Sequence, residues 1–225
     1  MNEPSHATLL SGSVLEWAVR PIERKDICAQ DNVSFVRSVG TTRWEQFVYE
    51  STIPLRDRDE DGSAPFEYPF FCRRSGKRLA LLGQTYEISK AIEDDLIRKT
   101  FVLRMRRVTI AVDPLVKALV EKPTVYSLSY AYARAPAYGT ALKNVIFYGE
   151  DLGNAGIFRE IIPLLTFASC GLRRASGGTQ LLKISSSGKL SFTLRNDSTL
   201  VEIERILGYL RDNGYLKGAL LDEES

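Results

Sequence analysis

Apolar residues recur along this chain with two different periods. SVLEWAVRPI, from Ser13 to Ile22, sets Val14, Glu16, Ala18 and Arg20 on one face and Leu15, Trp17 and Val19 on the other, a period of two that predicts a strand buried on its second face. NVSFVRSV and RWEQFVYESTIPL follow, separated by Gly40, Thr41 and Thr42, and Gly and Thr between two β-rich runs predict a hairpin. FEYPFFCRRSGKRLALLG repeats the arrangement, with Ser75 and Gly76 at the turn and Arg73, Arg74, Lys77 and Arg78 around its tip. The segment between the hairpins, RDRDEDGSAP from Arg56 to Pro65, is charged and contains Gly and Pro, which makes it an exposed loop.

At Thr85 the period lengthens. Ile88, Ile92 and Leu96 recur every four residues, Thr85 stands at the N-cap and Glu87 in the first turn, so a helix is expected to about Arg98 with Glu93, Asp94 and Asp95 on its solvated face. FVLRMRRVTIAV reads as a strand and DPLVKALVEK as a short helix opened by Asp113 and Pro114 and ended by Pro123. The central stretch, Pro123 to Arg174, reads as a strand pair feeding a buried helix. Its first strand holds Tyr126, Tyr130, Tyr132 and Tyr138, with Tyr130 and Tyr132 on one face. LKNVIFYG reads as a buried strand from its continuous apolar run. The helix opens after Gly149–Gly156 with Asp151 or Asn154 as cap, and Cys170 lies near its end. LLKIS and KLSFTL form a hairpin turned at Ser187 and Gly188. A last helix follows, capped by Ser198 or Thr199, with Leu200, Ile203, Leu207 and Leu210 as its stripe and Asn213 and Gly214 as its stop. The expected fold is α+β: a mainly antiparallel sheet flanked by three or four helices, with a β-rich N-terminal part. The expected organisation is a flexible leader (1–12), a β-rich subdomain (13–83), an α+β subdomain (84–218) and an acidic tail (219–225).

Composition matters most where it removes chemistry. His6 is the only histidine and lies in the polar leader, which leaves no Ser-His-Asp or Cys-His machinery and no His-based metal site unless His6 folds inward. Cys28, Cys72 and Cys170 are odd in number and far apart, so neither a disulfide framework nor a metal knuckle is expected. A reactive Cys170 is disfavoured because the end of a helix raises a thiol pKa. The acidic loop at Asp57, Asp59, Glu60 and Asp61 lacks the ligand alternation of an EF-hand, and Glu150 and Asp151 would repel a phosphate from the glycine-rich turn that follows the second central strand. Glu23-Arg24-Lys25 is the single match to a carboxylate-nuclease pattern, with no preceding Asp. No cofactor and no metal are expected. No apolar run spans a membrane, the N-terminus lacks the pattern of a secretory signal, and the expected location is cytoplasmic.

Charge carries the functional signal. Residues 1–70 hold 7 basic and 12 acidic side chains, residues 71–143 hold 14 and 6, and residues 144–225 hold 9 and 10. From Leu96 to Val112 no acid occurs, while Arg98, Lys99, Arg104, Arg106 and Arg107 do. Together with Arg73, Arg74, Lys77 and Arg78 these form a candidate phosphate-binding surface, and Tyr130 and Tyr132 are candidate stacking residues. The expected function is that of a non-catalytic accessory subunit of a larger assembly, holding nucleic-acid backbone without reading its sequence. Two alternatives stand beside it: a protein–protein adaptor or homo-oligomer in which acidic and basic thirds meet, and a metal-dependent carboxylate enzyme such as a nuclease.

Overall fold

The computed structural model describes residues 8–16, 20–29, 31–51, 66–99, 105–122, 126–136, 143–174, 182–194 and 197–217. The chain forms two compact units, one of Met1–Val108 with Leu194–Gly208 and Gly218–Ser225, the other of Thr109–Thr193 with Tyr209–Lys217. The fold is α+β with antiparallel sheet, and five helices rather than three or four occur among the described residues.

In the first unit, β1 (Thr8–Glu16) precedes α1 (Arg24–Ile27), and the two expected hairpins follow as β2 (Val33–Ser38) with β3 (Trp44–Ser51) and β4 (Phe66–Ser75) with β5 (Arg78–Gly83). Gly76 makes the second turn possible because its φ of 58° is open to glycine at no steric cost. The strands pair in the order β2-β3-β4-β5-β1, all antiparallel, and β6 (Arg106–Arg107) adds to β1 at Leu15 and Glu16. Chain entry differs from the sequence reading: β1 begins at Thr8, inside the expected leader, and Leu10 is fully buried. Both faces of β1 are covered, since Ser11, Ser13, Val14 and Leu15 are all buried. Gly12 is required there, because a Cβ would fall 1.7 Å from the Leu81 carbonyl oxygen.

Helix α2 (Tyr86–Lys99) lies over β1 and β5 and buries Ile88, Ile92 and Leu96, as its four-residue spacing requires. The Thr85 hydroxyl accepts from the Ile88 N–H at 3.3 Å, the expected cap. Glu93 is not on a solvated face: it is 3% exposed. Between α2 and the sheet Phe47 stacks on Phe70 at 5.4 Å in a core that Leu15, Leu79 and Leu81 share with Ile88 and Ile92, and elsewhere the Trp44 indole N–H donates to the Leu200 carbonyl at 3.0 Å.

In the second unit, β8 (Tyr126–Arg134), β9 (Asn144–Tyr148), β10 (Thr166–Arg174), β11 (Leu182–Ser185) and β12 (Lys189–Leu194) pair antiparallel in the order β12-β11-β10-β8-β9. Helix α3 (Val112–Glu121) packs on β8 and β10 through Leu115, Val116 and Leu119. β7 (Thr109–Ile110) pairs with β13 (Leu216–Lys217), so FVLRMRRVTIAV does not make one continuous strand. Helix α5 (Asp197–Asp212), of which the residues to Gly208 belong to the first unit, keeps the expected stripe, with Leu200, Ile203, Leu207 and Leu210 buried, and ends before Gly214 at φ 69°.

Two central expectations are corrected. The long buried helix is instead α4 (Gly156–Ile161), a 3-10 turn at Ile162–Leu164 and then β10, because Pro163 supplies no N–H to continue a helix. Neither Asp151 nor Asn154 caps α4; its N-cap is Ala155, and Asn154 donates to Asp151 within a preceding 3-10 turn. β9 is not a buried strand: among the described residues it pairs only with β8, and Ile146 and Tyr148 are 52% and 71% exposed. Its apolar run faces two ways, with Val145 and Phe147 half-buried toward α4, where Phe147 meets Phe158 edge-on at 4.9 Å.

Candidate nucleic-acid interface

The two basic segments of the first unit do meet. β1 lies between β5 and β6, and Glu16 is the register partner of Arg78 on one side and of Arg106 on the other. Adjacent strands lie about 4.8 Å apart, so Arg78 and Arg106 flank one carboxylate. That carboxylate is not alone in balancing them. Arg73 donates to Glu204 at 2.7 Å, Arg74 to Glu45 at 3.1 Å, Arg78 to Glu16 at 3.2 Å and Arg107 to Glu93 at 2.7 Å, while Arg98 pairs with Asp95. Glu45 and Glu93 are buried, and Glu93 also accepts the Ser13 hydroxyl at 2.8 Å. These pairs hold strands and helices of the first unit to one another. Arg106 is exposed and makes no ion pair among the described residues, and Lys77 is exposed at the hairpin tip. Arg104 and the Lys99 side chain lie outside the described residues, as do Tyr138 and the acidic loop at 56–65.

The second unit gathers its aromatic and basic residues differently. α3 and α4 cover one face of the sheet, burying Ala131, Ala133, Phe158, Phe167 and Cys170. Strand alternation then turns Tyr130, Tyr132 and Arg134 of β8 to the other face. Their register partners on β9 are Tyr148, Ile146 and Asn144. On β10, Gly171 is the partner of Tyr130 and Ser169 of Tyr132, and on β11 Lys183 and Ser185 follow. One row across the strands is therefore Tyr148, Tyr130, Gly171 and Lys183. Tyr148 and Tyr130 have ring centroids 5.1 Å apart, and the Lys183 ammonium reaches over the side-chain-free Gly171 to within 5.2 Å of the Tyr130 ring. Arg173, opposite Ser127, shares the face, and its Nε is buried without a hydrogen-bond partner. Every charged residue on these register positions is a cation.

Tyr130 and Tyr132 were legible as a same-face pair in the sequence; Tyr148, Arg134, Arg173 and Lys183 were not. Tyr148 was hidden by the reading of LKNVIFYG as buried. Arg173 was hidden by the reading of its segment as the end of a helix and a loop.

Elsewhere the chemistry is quiet. Burial pushes the Cys170 thiol up to about 12 and the Cys72 thiol well above its ordinary value, with the Glu45 carboxylate adding to the effect at Cys72. Cys170 sits on a strand rather than at a helix end. Glu23 caps α1 and Lys25 lies in its first turn, so neither is on a strand, and the two pair with each other at 2.7 Å. No group of three or more His, Cys, Asp or Glu suited to a metal occurs among the described residues, and no described helix is long and apolar enough to cross a membrane. No protein-family model and no curated protein matches this chain.

Proposed function

We propose that the protein is a non-catalytic accessory subunit that holds nucleic acid, and that the open sheet face of the second unit makes the contact. The observation that carries this reading is the row of Tyr148, Tyr130 and Lys183, flanked by Tyr132, Arg134 and Arg173, on register positions whose charged residues, among the described ones, are all cations. Aromatic faces accept any base by stacking, and nearby cations take the phosphates, so such a face favours unpaired strands and little sequence preference. The arginine segments of the first unit support the reading less, since most of their guanidinium groups already hold carboxylates.

The test is binding of labelled single-stranded RNA, single-stranded DNA and duplex DNA at two salt concentrations. Affinity for single strands that falls with salt and drops in Tyr130→Ala supports the proposal. Equal affinity for duplex, or no effect of Tyr130→Ala, overturns it. A protein-adaptor reading is favoured by one separate observation: among the described residues β9, which carries exposed Ile146, pairs along one edge only, and a partner strand could add to the other. Failure to bind any nucleic acid would shift weight to that reading.

A further inference from the structure

A cleft of about 430 Å³ opens at one end of the first unit's sheet. Its walls come from sequence-local features already described. The β2–β3 turn contributes Ser38, Thr42 and Arg43, and the β4–β5 turn contributes Arg74 and Gly76. Pro21 and Ile22 cross between them, and the Ile22 N–H donates to the Gly76 carbonyl at 3.1 Å, which ties that crossing to the second turn. The first turn is equally fixed, with the Thr42 hydroxyl donating to the Val39 carbonyl at 2.6 Å and accepting from the Trp44 N–H at 3.2 Å. Trp44 and Glu45 complete the lining.

Glu45 decides the electrostatics. Its side chain is 9% exposed and accepts from two guanidinium groups, those of Arg24 and Arg74. Each guanidinium uses its Nε and Nη2 there. A guanidinium has five N–H donors, so Arg74 is held in place with donors to spare at the wall of the cleft. Arg43, exposed on the opposite turn, makes no ion pair among the described residues. The charged residues lining the cleft are Arg43, Arg74 and Glu45, so the excess charge is positive.

We infer that this cleft binds a small organic oxyanion, its phosphate or carboxylate head between Arg43 and Arg74 and its apolar part against the exposed Pro21, with the buried Ile22 and Trp44 in the wall behind. The volume lies in the range of small-molecule sites, and a rigid pair of turns with an oriented arginine matches fork recognition of a planar or tetrahedral anion. This site is independent of the tyrosine face and does not rest on it.

The experiment uses the whole chain with Trp17→Phe, which leaves Trp44 as the single tryptophan of the two in the sequence. Its fluorescence is titrated with inorganic phosphate, a nucleoside monophosphate and benzoate, each against sodium chloride at matched ionic strength. A saturable change with at least one of the three, weakened tenfold or more by Arg43→Gln with an unchanged circular dichroism spectrum, supports the site. Response to the two phosphates alone identifies a phosphate head, and response to benzoate alone a carboxylate. Tyr130→Ala leaves these titrations unchanged. No saturable change with any probe, or full binding by Arg43→Gln, overturns the inference.

Discussion

The two units use arginine and lysine in opposite ways. In the first, Arg73, Arg74, Arg78 and Arg107 each donate to a carboxylate that is itself buried or half-buried, so these cations serve the fold. In the second, Arg134, Arg173 and Lys183 stand on register positions with tyrosines and, among the described residues, no acid, and Arg134 and Lys183 are exposed. A sequence run rich in arginine is therefore a poorer guide to a phosphate surface than the identity of what lies across the strand. The N–H groups that a guanidinium commits to a carboxylate are closed to a phosphate unless the pair breaks, which is costly for a buried carboxylate, so only donors outside the pair, as on Arg74 at the cleft, stay available.

The largest effect should come from removing the aromatic row. Tyr130→Ala with Tyr148→Ala removes two adjacent stacking surfaces, each worth about 1–3 kcal/mol per base, so single-strand affinity should fall at least tenfold. Tyr148 is largely exposed, so Tyr148→Ala alone should leave the melting temperature nearly unchanged. Anisotropy titrations and thermal melts check the two halves of this prediction.

Next in size is a change that should strike stability instead of binding. Arg107→Ala strands Glu93, which is buried and keeps only the Ser13 hydroxyl as a partner. Arg107 is about a third exposed, which discounts the pair, and a loss of roughly 2 kcal/mol is expected from an uncompensated buried carboxylate. Urea unfolding measures it. Arg107→Ala with Glu93→Gln should recover part of the loss, since the amide carries no charge to strand.

How far these two regions were legible in sequence follows from the range of the interactions. Both N-terminal hairpins, the Thr85 cap and the α5 stripe are set by neighbours a few residues apart, and each appears where its pattern places it. The failures lie where a distant partner decides. Glu93 sits in a run of three acids that reads as solvated, and only β1 and β6 turn it into a buried acceptor. Tyr148 belongs to an apolar run whose strand, β9, has a neighbour on one side only among the described residues. TFASCGLRR has the composition of either a helix end or a strand, and its pairing with β8 and β11 settles the choice. The same holds for the site: Tyr130 and Tyr132 share a face by local alternation, whereas Tyr148, Gly171 and Lys183 join them through long-range register.

A smaller effect is expected from one outward cation. Lys183→Ala should weaken single-strand binding several-fold and reduce the slope of log affinity against log salt by about 0.7, the value for one phosphate contact on a single strand. An unchanged slope would mean that Lys183 only covers the Tyr130 ring.

Acid sharpens the contrast further, because the first unit's internal pairs are coupled to protonation. Arg20 donates to Asp26 at 2.5 and 2.7 Å, and this bond, with the Glu23 N–H at 2.8 Å, holds the Asp26 carboxyl below its ordinary value against the opposing effect of burial. A depressed folded-state pKa contributes stability above the unfolded value of about 3.9, and that contribution is lost as pH falls through the lower folded value. Asp26→Asn should therefore be less stable than the parent at neutral pH and lose less stability on acidification, which urea midpoints at neutral pH and at about pH 3 will show.

The smallest effect belongs to Arg106, and it is the most direct test of the comparison. Arg106 is exposed, has no ion pair among the described residues, and sits beside Glu16, which Arg78 already holds at 3.2 Å. Of Arg73, Arg74, Arg78, Arg98, Arg106 and Arg107, it is therefore the one whose whole guanidinium is uncommitted to a carboxylate among the described residues. Arg106→Gln keeps the β6 backbone pairing and removes one exposed charge, so stability should change by less than about 0.5 kcal/mol. If the second unit's face carries the binding, single-strand affinity should change less than twofold. A tenfold loss with an unchanged melting temperature would place phosphate on the β5-β1-β6 edge of the first unit, and the division between cations that hold the fold and cations that face a ligand would then run through the first unit.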